Sequence, residues 1–199
     1  MKPGAFLSVI VWVAGTPGVG KTTVGKFLAK RLGYGFTDLP EVVRRMGLGE
    51  HDPESGAVLV TSRTVRMIVE KYVADNNVLS SHLVVRVPGR RVVCIVLRLN
   101  PLVLVKRLRR RGYGVAKVLE NVEAEFVGAV YSDAVRAFGR RNVFQLDVTG
   151  IRANAAAGKC LHILEGDWGG DDVDWLSDLP KKQMERLLGL FAKSRLGSA

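Results

Sequence analysis

The stretch GTPGVGKT, residues 15–22, decides the fold of this chain. It follows a short, nearly all-apolar run at residues 6–13 and precedes a segment with helical spacing at residues 21–32. A strand, a glycine-rich turn and a helix in this order are the context of a phosphate-binding loop. Glycines let backbone N–H groups approach phosphate oxygens, and the positive end of the following helix faces the anion. The sequence therefore predicts a P-loop protein.

The residues of this loop have separate predicted roles. We expect Lys21 to place a positive charge at the β- and γ-phosphates of ATP, and the Thr22 hydroxyl to ligate Mg²⁺. We therefore expect ATP and Mg²⁺ as cofactors. The residues predicted to bind ATP are Gly18, Val19, Gly20, Lys21, Thr22 and Thr23.

Strand and helix signals alternate along most of the chain. We predict further buried strands at residues 78–85, 91–97 and 142–146, and helices at residues 41–46, 61–74, 101–111, 115–138 and 154–164. This βαβ alternation predicts an α/β fold with a central parallel sheet flanked by helices. We assign residues 1–164 to this domain, and residues 165–199 to an acidic segment with a C-terminal helix that begins near residue 180.

The charge of the chain is high and unevenly distributed. The net charge is +11, and no acidic residue lies between Asp75 and Glu120. This excess predicts attraction to phosphate-rich partners such as RNA, although a basic surface without a partner explains it as well. The apolar run at residues 5–14 is too short to cross a bilayer, so we expect a cytoplasmic protein without a membrane partner.

Four motifs follow one another in a characteristic order. They are GTPGVGKTT at residues 15–23, Ser-His-Leu at 81–83, Arg-Leu-x-x-Arg-Gly-Tyr at 107–113 and Glu-Asn-Val-Glu-Ala-Glu at 120–125. Together they resemble the small adenylate-kinase-like NTPases of ribosome assembly, over roughly residues 6–164. The resemblance implies a nucleoside-monophosphate-kinase-like P-loop fold in three layers. It also implies a monophosphate-binding region at about 38–57 and a short lid at about 110–120.

The same resemblance implies an activity and partners. The activity is broad-specificity transfer of the ATP γ-phosphate to AMP or another nucleoside monophosphate, with ATPase activity. The partners are a small-subunit ribosomal protein and rRNA, during maturation of the small ribosomal subunit. The resemblance assigns Arg111 as a lid arginine that binds ATP, and we expect it to act in catalysis with Lys21 and His82.

The chain departs from the family at Ser80. The family has Asp-x-His at this strand end, and here the sequence is Ser80-Ser81-His82, so the carboxylate expected to hold Mg²⁺ through water is missing. His82 can contact phosphate or position water, or it can be purely structural. The acids that could substitute for the missing carboxylate are Asp38, Glu41, Asp52 and Glu54. The arginines that could clamp an α-phosphate are Arg44, Arg45, Arg63 and Arg66.

Two other functions remain open at this point. One is a nucleotide-gated ribosome assembly factor with little kinase turnover. The other is a small-molecule kinase of the shikimate or gluconate type, which shares the P-loop, the parallel sheet and the short lid. Residues 165–199 are predicted either to pack as a loop and a helix on the domain surface, or to dock by charge on the basic lid or on a partner.

Overall fold

The computed structural model describes residues 8–51 and 58–196 of the 199-residue chain. Five of its strands form one parallel sheet: β1 (Val9–Ala14), β2 (Gly35–Asp38), β5 (Asn77–Ser80), β6 (Arg91–Arg98) and β7 (Val143–Asp147). Their order across the sheet is β2-β5-β1-β6-β7, so β1 lies at the centre. Strands β3 (Glu50–His51) and β4 (Val58–Leu59) form a separate antiparallel pair.

Helices cover both faces of the sheet. Their bounds are α1 (Lys21–Leu32), α2 (Leu39–Arg45), α3 (Ser62–Tyr72), α4 (Pro101–Arg110), α5 (Val115–Phe126), α6 (Ala129–Phe138), α7 (Ala153–Glu165), α8 (Trp175–Asp178) and α9 (Lys181–Leu196). None of the helices in the described part of the chain is long and apolar enough to cross a membrane.

The side chains of β1 divide the core into two layers. Val11 and Val13 pack with the buried residues of α1, α4, α5 and α7 on one face, and with Trp175 and Leu187 from the C-terminal part of the chain. Ile10 and Trp12 pack with the buried residues of α2, α3 and α6 on the other face. Successive strand residues point to opposite faces, so an entirely buried strand needs apolar residues at every position. The predicted three-layer α/β fold with a central parallel sheet is confirmed.

Three of the predicted elements differ from the structure. The first strand is Val9–Ala14 rather than residues 6–13, of which residues 6 and 7 lie outside the described part. The predicted strand at 78–85 ends at Ser80, because its neighbour β1 ends at Ala14 and leaves no strand to pair with. The predicted helix at 115–138 is two helices, because Gly128 adopts a left-handed φ of 66° and turns the chain.

Strand β2 is absent from the prediction. Its residues Gly35–Asp38 carry a single large apolar side chain, Phe36, so the hydrophobic pattern does not predict a strand here. The strand exists because β5 pairs with it along its whole length, from Gly35 opposite Asn77 to Asp38 opposite Ser80. This pairing brings Asp38 to the same edge of the sheet as the P-loop.

Candidate active site

The P-loop connects the C-terminal end of β1 to α1 through three glycines with positive φ. Gly15, Gly18 and Gly20 have φ values of 137°, 95° and 112°. A Cβ atom on Gly15 would lie 2.6 Å from the carbonyl oxygen of Leu97, and one on Gly18 would lie 2.8 Å from a methyl group of Leu108. The loop therefore needs glycine both for its backbone conformation and for its close packing on β6 and α4.

Lys21 is buried inside this loop. Its Nζ donates a hydrogen bond of 3.0 Å to the carbonyl oxygen of Thr16. Burial lowers the pKa of Lys21 to about 8; the carboxylates of Asp38 and Glu125 act against this shift, and Arg111 adds to it. The first N–H groups of α1 have no intrahelical partner, so the buried ammonium and the helix terminus together favour an anion at this place.

The side chains of Thr22 and Asp38 bring two oxygen atoms that can ligate a metal ion together beside the loop. The Thr22 hydroxyl donates to Oδ2 of Asp38 over 2.9 Å. Asp38 precedes α2, but its side chain does not cap that helix, so the carboxylate is available to Thr22. Oxygen ligands of this kind suit Mg²⁺, so the donor set fits the ion that the P-loop implies.

Asp38 also lies beside the place where the family's carboxylate is missing. Its Cα is paired with that of Ser80 across the β2–β5 register. The other acids considered from the sequence are placed differently: Glu41 is exposed on α2, and Asp52 and Glu54 lie outside the described residues. Of these acids, Asp38 and Glu41 lie in the described residues, and Asp38 is the one of the two at this edge of the sheet.

Two arginines, one in α4 and one directly after it, lie near the loop. Nη1 of Arg107 donates a hydrogen bond of 3.1 Å to the carbonyl oxygen of Val19. Burial lowers the pKa of Arg107, and the charge of Arg111 lowers it further. Arg111 follows the last residue of α4 and is exposed. Its charge also acts on Lys21. Arg107 is the first residue of the motif Arg-Leu-x-x-Arg-Gly-Tyr that carries the resemblance, and its i,i+4 spacing from Arg111 places the two residues on the same side of the chain at the end of α4.

His82 follows the end of β5 and is exposed at the surface. Desolvation by its surroundings, together with the charges of Lys21 and Lys117, lowers the pKa of His82 to about 4. The imidazole is therefore neutral at neutral pH and can accept a hydrogen bond. Lys117 lies on α5, the helix after the Arg-Gly-Tyr turn.

A small cavity of about 70 Å³ lies next to His82. Its lining is mostly apolar and comes from α2, α3 and the chain after β5: Leu39, Pro40, Val43, Val60, Val65, Ser81, His82 and Leu83. The four arginines considered for an α-phosphate clamp are all exposed, and none of them lines this cavity: Arg44, Arg45, Arg63 and Arg66.

Comparison with known proteins identifies the family. A family model described as an AAA domain matches residues 11–128. The "Putative adenylate kinase" of Thermococcus onnurineus (strain NA1) is 34% identical over 183 residues, which is 91% of this chain and 99% of that protein. The protein of the same description from Pyrococcus abyssi is 40% identical over 142 residues, or 71% of this chain and 76% of that protein. The chain belongs to the adenylate-kinase-like P-loop family.

Solved structures outside this family share the fold. The shikimate kinase from Bacteroides thetaiotaomicron has a TM-score of 0.52 at 18% identity, covering 80% of this chain and 99% of that chain. A sugar kinase from Janibacter sp. HTCC2649 has a TM-score of 0.50 at 14% identity, covering 80% of this chain and 95% of that chain. At such identities the likeness shows the P-loop kinase fold, while substrate choice depends on the site.

Proposed function

We propose that the protein is a nucleoside monophosphate kinase that transfers the γ-phosphate of ATP to AMP or another nucleoside monophosphate, and that it also hydrolyses ATP. The observation that carries the proposal is the adjacency of two sites at one edge of the sheet. One is the P-loop with Lys21 and Thr22, and the other is the apolar cavity bordered by Ser81 and His82. The description of the archaeal relatives as adenylate kinases supports the same reaction.

Phosphoryl transfer needs positioning and charge neutralisation more than covalent help from the protein. In the proposed site the backbone of Gly18, Val19 and Gly20 and the Lys21 ammonium hold the phosphates, with Thr23 at the rim of the loop. The proposed ligands of Mg²⁺ are Thr22 and, through water, Asp38. When bound, the ion neutralises phosphate charge and orients the phosphates.

The turn between α4 and α5 is the proposed lid. Arg111 precedes Gly112, which adopts a positive φ of 77°. Movement of this turn over the loop would bring the Arg111 guanidinium to the γ-phosphate and exclude water. Incomplete exclusion of water accounts for the proposed ATPase activity. The neutral His82 ring is available to orient the acceptor phosphate or a water molecule.

The acceptor site must open before a nucleotide fits. Ligand pockets commonly enclose about 300 Å³ or more, whereas the cavity between α2 and α3 has about 70 Å³. We propose that residues 38–51, which include α2, move on acceptor binding and enlarge this cavity. Its apolar lining suits a nucleobase, and Ser81 and His82 supply polar contacts at the side nearest the P-loop.

A coupled assay for ADP tests this proposal. The protein is incubated with ATP and each nucleoside monophosphate in turn, beside a control without monophosphate that measures ATP hydrolysis. We expect ADP formation above the control with at least one monophosphate, and loss of both reactions in Lys21→Ala. Equal rates with and without every monophosphate would remove the kinase proposal and leave an ATPase.

A second candidate function is suggested by a basic cavity at the opposite end of the sheet. It has a volume of about 240 Å³, and its lining includes Arg86, Arg90 and Arg91 around the start of β6. Arg90 pairs with Asp75, while Arg86 and Arg91 have no ion-pair partner among the described residues. The arginines between Asp75 and Glu120 therefore lie in two places, one near the P-loop and one at this cavity.

We propose, as the alternative, a nucleotide-gated assembly factor that binds rRNA and a small-subunit ribosomal protein. Arginine forks at the basic cavity suit RNA phosphates. Single-stranded RNA binding should weaken in Arg86→Gln/Arg91→Gln, with the slope of log K against log salt reduced by about 1.4 in magnitude. Lys181→Gln/Lys182→Gln removes the same charge from the exposed start of α9 and serves as the control. Equal binding by wild type and both variants contradicts a role for this cavity.

A further inference from the structure

The carboxylate of Glu125 joins four distant parts of the chain. Glu125 lies on α5 and is 2% exposed. Its carboxylate accepts a hydrogen bond of 2.7 Å from the hydroxyl of Thr16 in the P-loop. The carboxylate also accepts hydrogen bonds from Nε of Arg98 at 2.9 Å and from the backbone N–H of Leu99 at 3.1 Å. Its remaining donor is the indole N–H of Trp175 at 3.1 Å. A carboxylate with this many donors holds each of them in a defined place.

Arg98 makes this buried carboxylate compatible with a phosphate site. Arg98 and Glu125 are 3% and 2% exposed, so water solvates neither charge and the two groups neutralise each other. Paired with Arg98, the carboxylate adds little net repulsion toward phosphate in the loop. Arg98 also donates to the carbonyl oxygen of Val173 at 3.2 Å, and its guanidinium lies 5.9 Å from the ring of Trp175. The ion pair therefore holds the C-terminal part of the chain at two points.

Thr16 connects this network to the loop lysine. Its hydroxyl is bound by Glu125, and its carbonyl oxygen accepts Nζ of Lys21. Three consecutive hydrogen bonds therefore run from Trp175 through Glu125 and Thr16 to Lys21. A shift of the indole changes the donors of the carboxylate that fixes Thr16.

The C-terminal segment, residues 171–196, is seated by backbone and apolar contacts. A Cβ atom on Gly170 would lie 2.6 Å from the carbonyl oxygen of Gln145, so the chain approaches β7 closely before the segment begins. Leu187 is fully buried, and Phe191 lies 6.1 Å from Phe126 of α5. Helix α9 packs on both α4 and α5, the helices that flank the proposed lid.

The acidic residues of this region make local contacts. Asp171 accepts the backbone N–H of Asp147, and Asp174 caps the short helix α8. Docking by acid–arginine pairs on the lid, one of the two expectations for residues 165–199, has no counterpart among the ion pairs of the described residues. Trp175 and the apolar face of α9 attach the segment instead.

We infer that Trp175 is a positioning residue for the P-loop: through Glu125 it holds Thr16, so nucleotide binding at the loop is coupled to the seating of the C-terminal segment. The inference rests on the proposed nucleotide site and adds a regulatory element to it. Coupling of this kind is reciprocal, so a ligand or partner that displaces the segment weakens nucleotide binding, and nucleotide strengthens the seating.

The test is the affinity of the full-length protein for ADP, measured by calorimetry. Trp175→Phe removes the indole donor and keeps an aromatic ring, and Glu125 retains Arg98 and Leu99 as donors. We expect ADP binding to weaken about fivefold. The matched control is Trp168→Phe, because Trp168 lies over Lys159 rather than at Glu125 and its variant should bind ADP as wild type does.

A double-mutant cycle separates positioning from general loosening of the structure. Thr16→Val removes the hydroxyl that Glu125 binds and preserves the side-chain shape. In that background Trp175→Phe should have no further effect on ADP affinity, because the connection is already broken. An equal effect of Trp175→Phe in both backgrounds overturns the inference, as does an affinity for ADP within about twofold of wild type.

A spectroscopic measurement does not depend on removing Trp175. The chain has three tryptophans, and Trp12→Phe/Trp168→Phe leaves Trp175 as the sole one. Its fluorescence should change with the same ADP dependence as binding; an unchanged spectrum at saturation overturns the inference. Failure of wild-type protein to bind ADP at all is a different result, since it rejects the proposed nucleotide site itself.

Discussion

Replacing Asp38 by asparagine tests the proposal that Asp38 takes the place of the carboxylate missing at Ser80. The variant keeps the size of the side chain and removes the negative charge of the carboxylate, which accepts a hydrogen bond of 2.9 Å from the Thr22 hydroxyl. A hydrogen bond to a charged group is worth about 1.5–3 kcal/mol, which corresponds to a loss of about 10- to 150-fold in kcat/KM for ATP. The carboxylate also raises the pKa of Lys21, so the variant should lose more activity at pH 8 than at pH 6.5.

The assay is kcat/KM for ATP as a function of Mg²⁺, with thermal unfolding as a check of the fold. Glu41→Gln is the matched control, because Glu41 is the next acid along the chain and is exposed on α2. Adding Ser80→Asp to Asp38→Asn should restore part of the activity, since the two positions are paired across the β2–β5 register. Activity of Asp38→Asn within about threefold of wild type at all Mg²⁺ concentrations refutes this reasoning.

Three further predictions concern the loop and its surroundings. The pKa of Lys21 in the protein without nucleotide is about 8, so Lys21 loses its positive charge above that pH. We therefore expect kcat/KM for ATP to fall as pH rises above 8, and a flat profile to pH 9.5 contradicts that pKa. His82 has a pKa of about 4, so its NMR signals should not titrate between pH 5.5 and 8. The signals are assigned by comparison with His82→Gln, and a titration midpoint near 6.5 would contradict the lowered pKa. Gly18→Ala should lower the free energy of unfolding in urea by about 3 kcal/mol, from left-handed strain and contact with Leu108. Gly33→Ala has open space around it and should cost only about 1 kcal/mol, and equal costs would contradict the packing argument.

The sequence was sufficient for the fold where the signals are local. The glycine-rich loop, the helix after it and the buried strand Arg91–Arg98 each carry their signal within a few consecutive residues. Strand β2 carries almost none, because four residues with one large apolar side chain become a strand only by pairing with β5. The break at Gly128 was missed because the helical spacing continues on both sides of it, and one glycine does not by itself end a helix.

The residues of the candidate site also fall into those with a local sequence signal and those without one. Lys21 and Thr22 could be named because a contiguous motif assigns their roles. Asp38 is 16 residues from Thr22 and was one of four acids without a distinguishing signal. Glu125 is 109 residues from Thr16, and its motif carried the resemblance to the family without indicating what the carboxylate contacts. Contacts between side chains so far apart depend on the folded arrangement of β1, β6 and α5.

The central claim is transfer of the ATP γ-phosphate to a nucleoside monophosphate at the P-loop. The most direct measurement follows a radioactive γ-phosphate from ATP in the presence of AMP or another acceptor, with products separated by chromatography. The account predicts label in the β-position of the newly formed diphosphate, together with some labelled inorganic phosphate, and neither product with Lys21→Ala. Label found only in inorganic phosphate with every acceptor, or transfer that persists in Lys21→Ala, would contradict it.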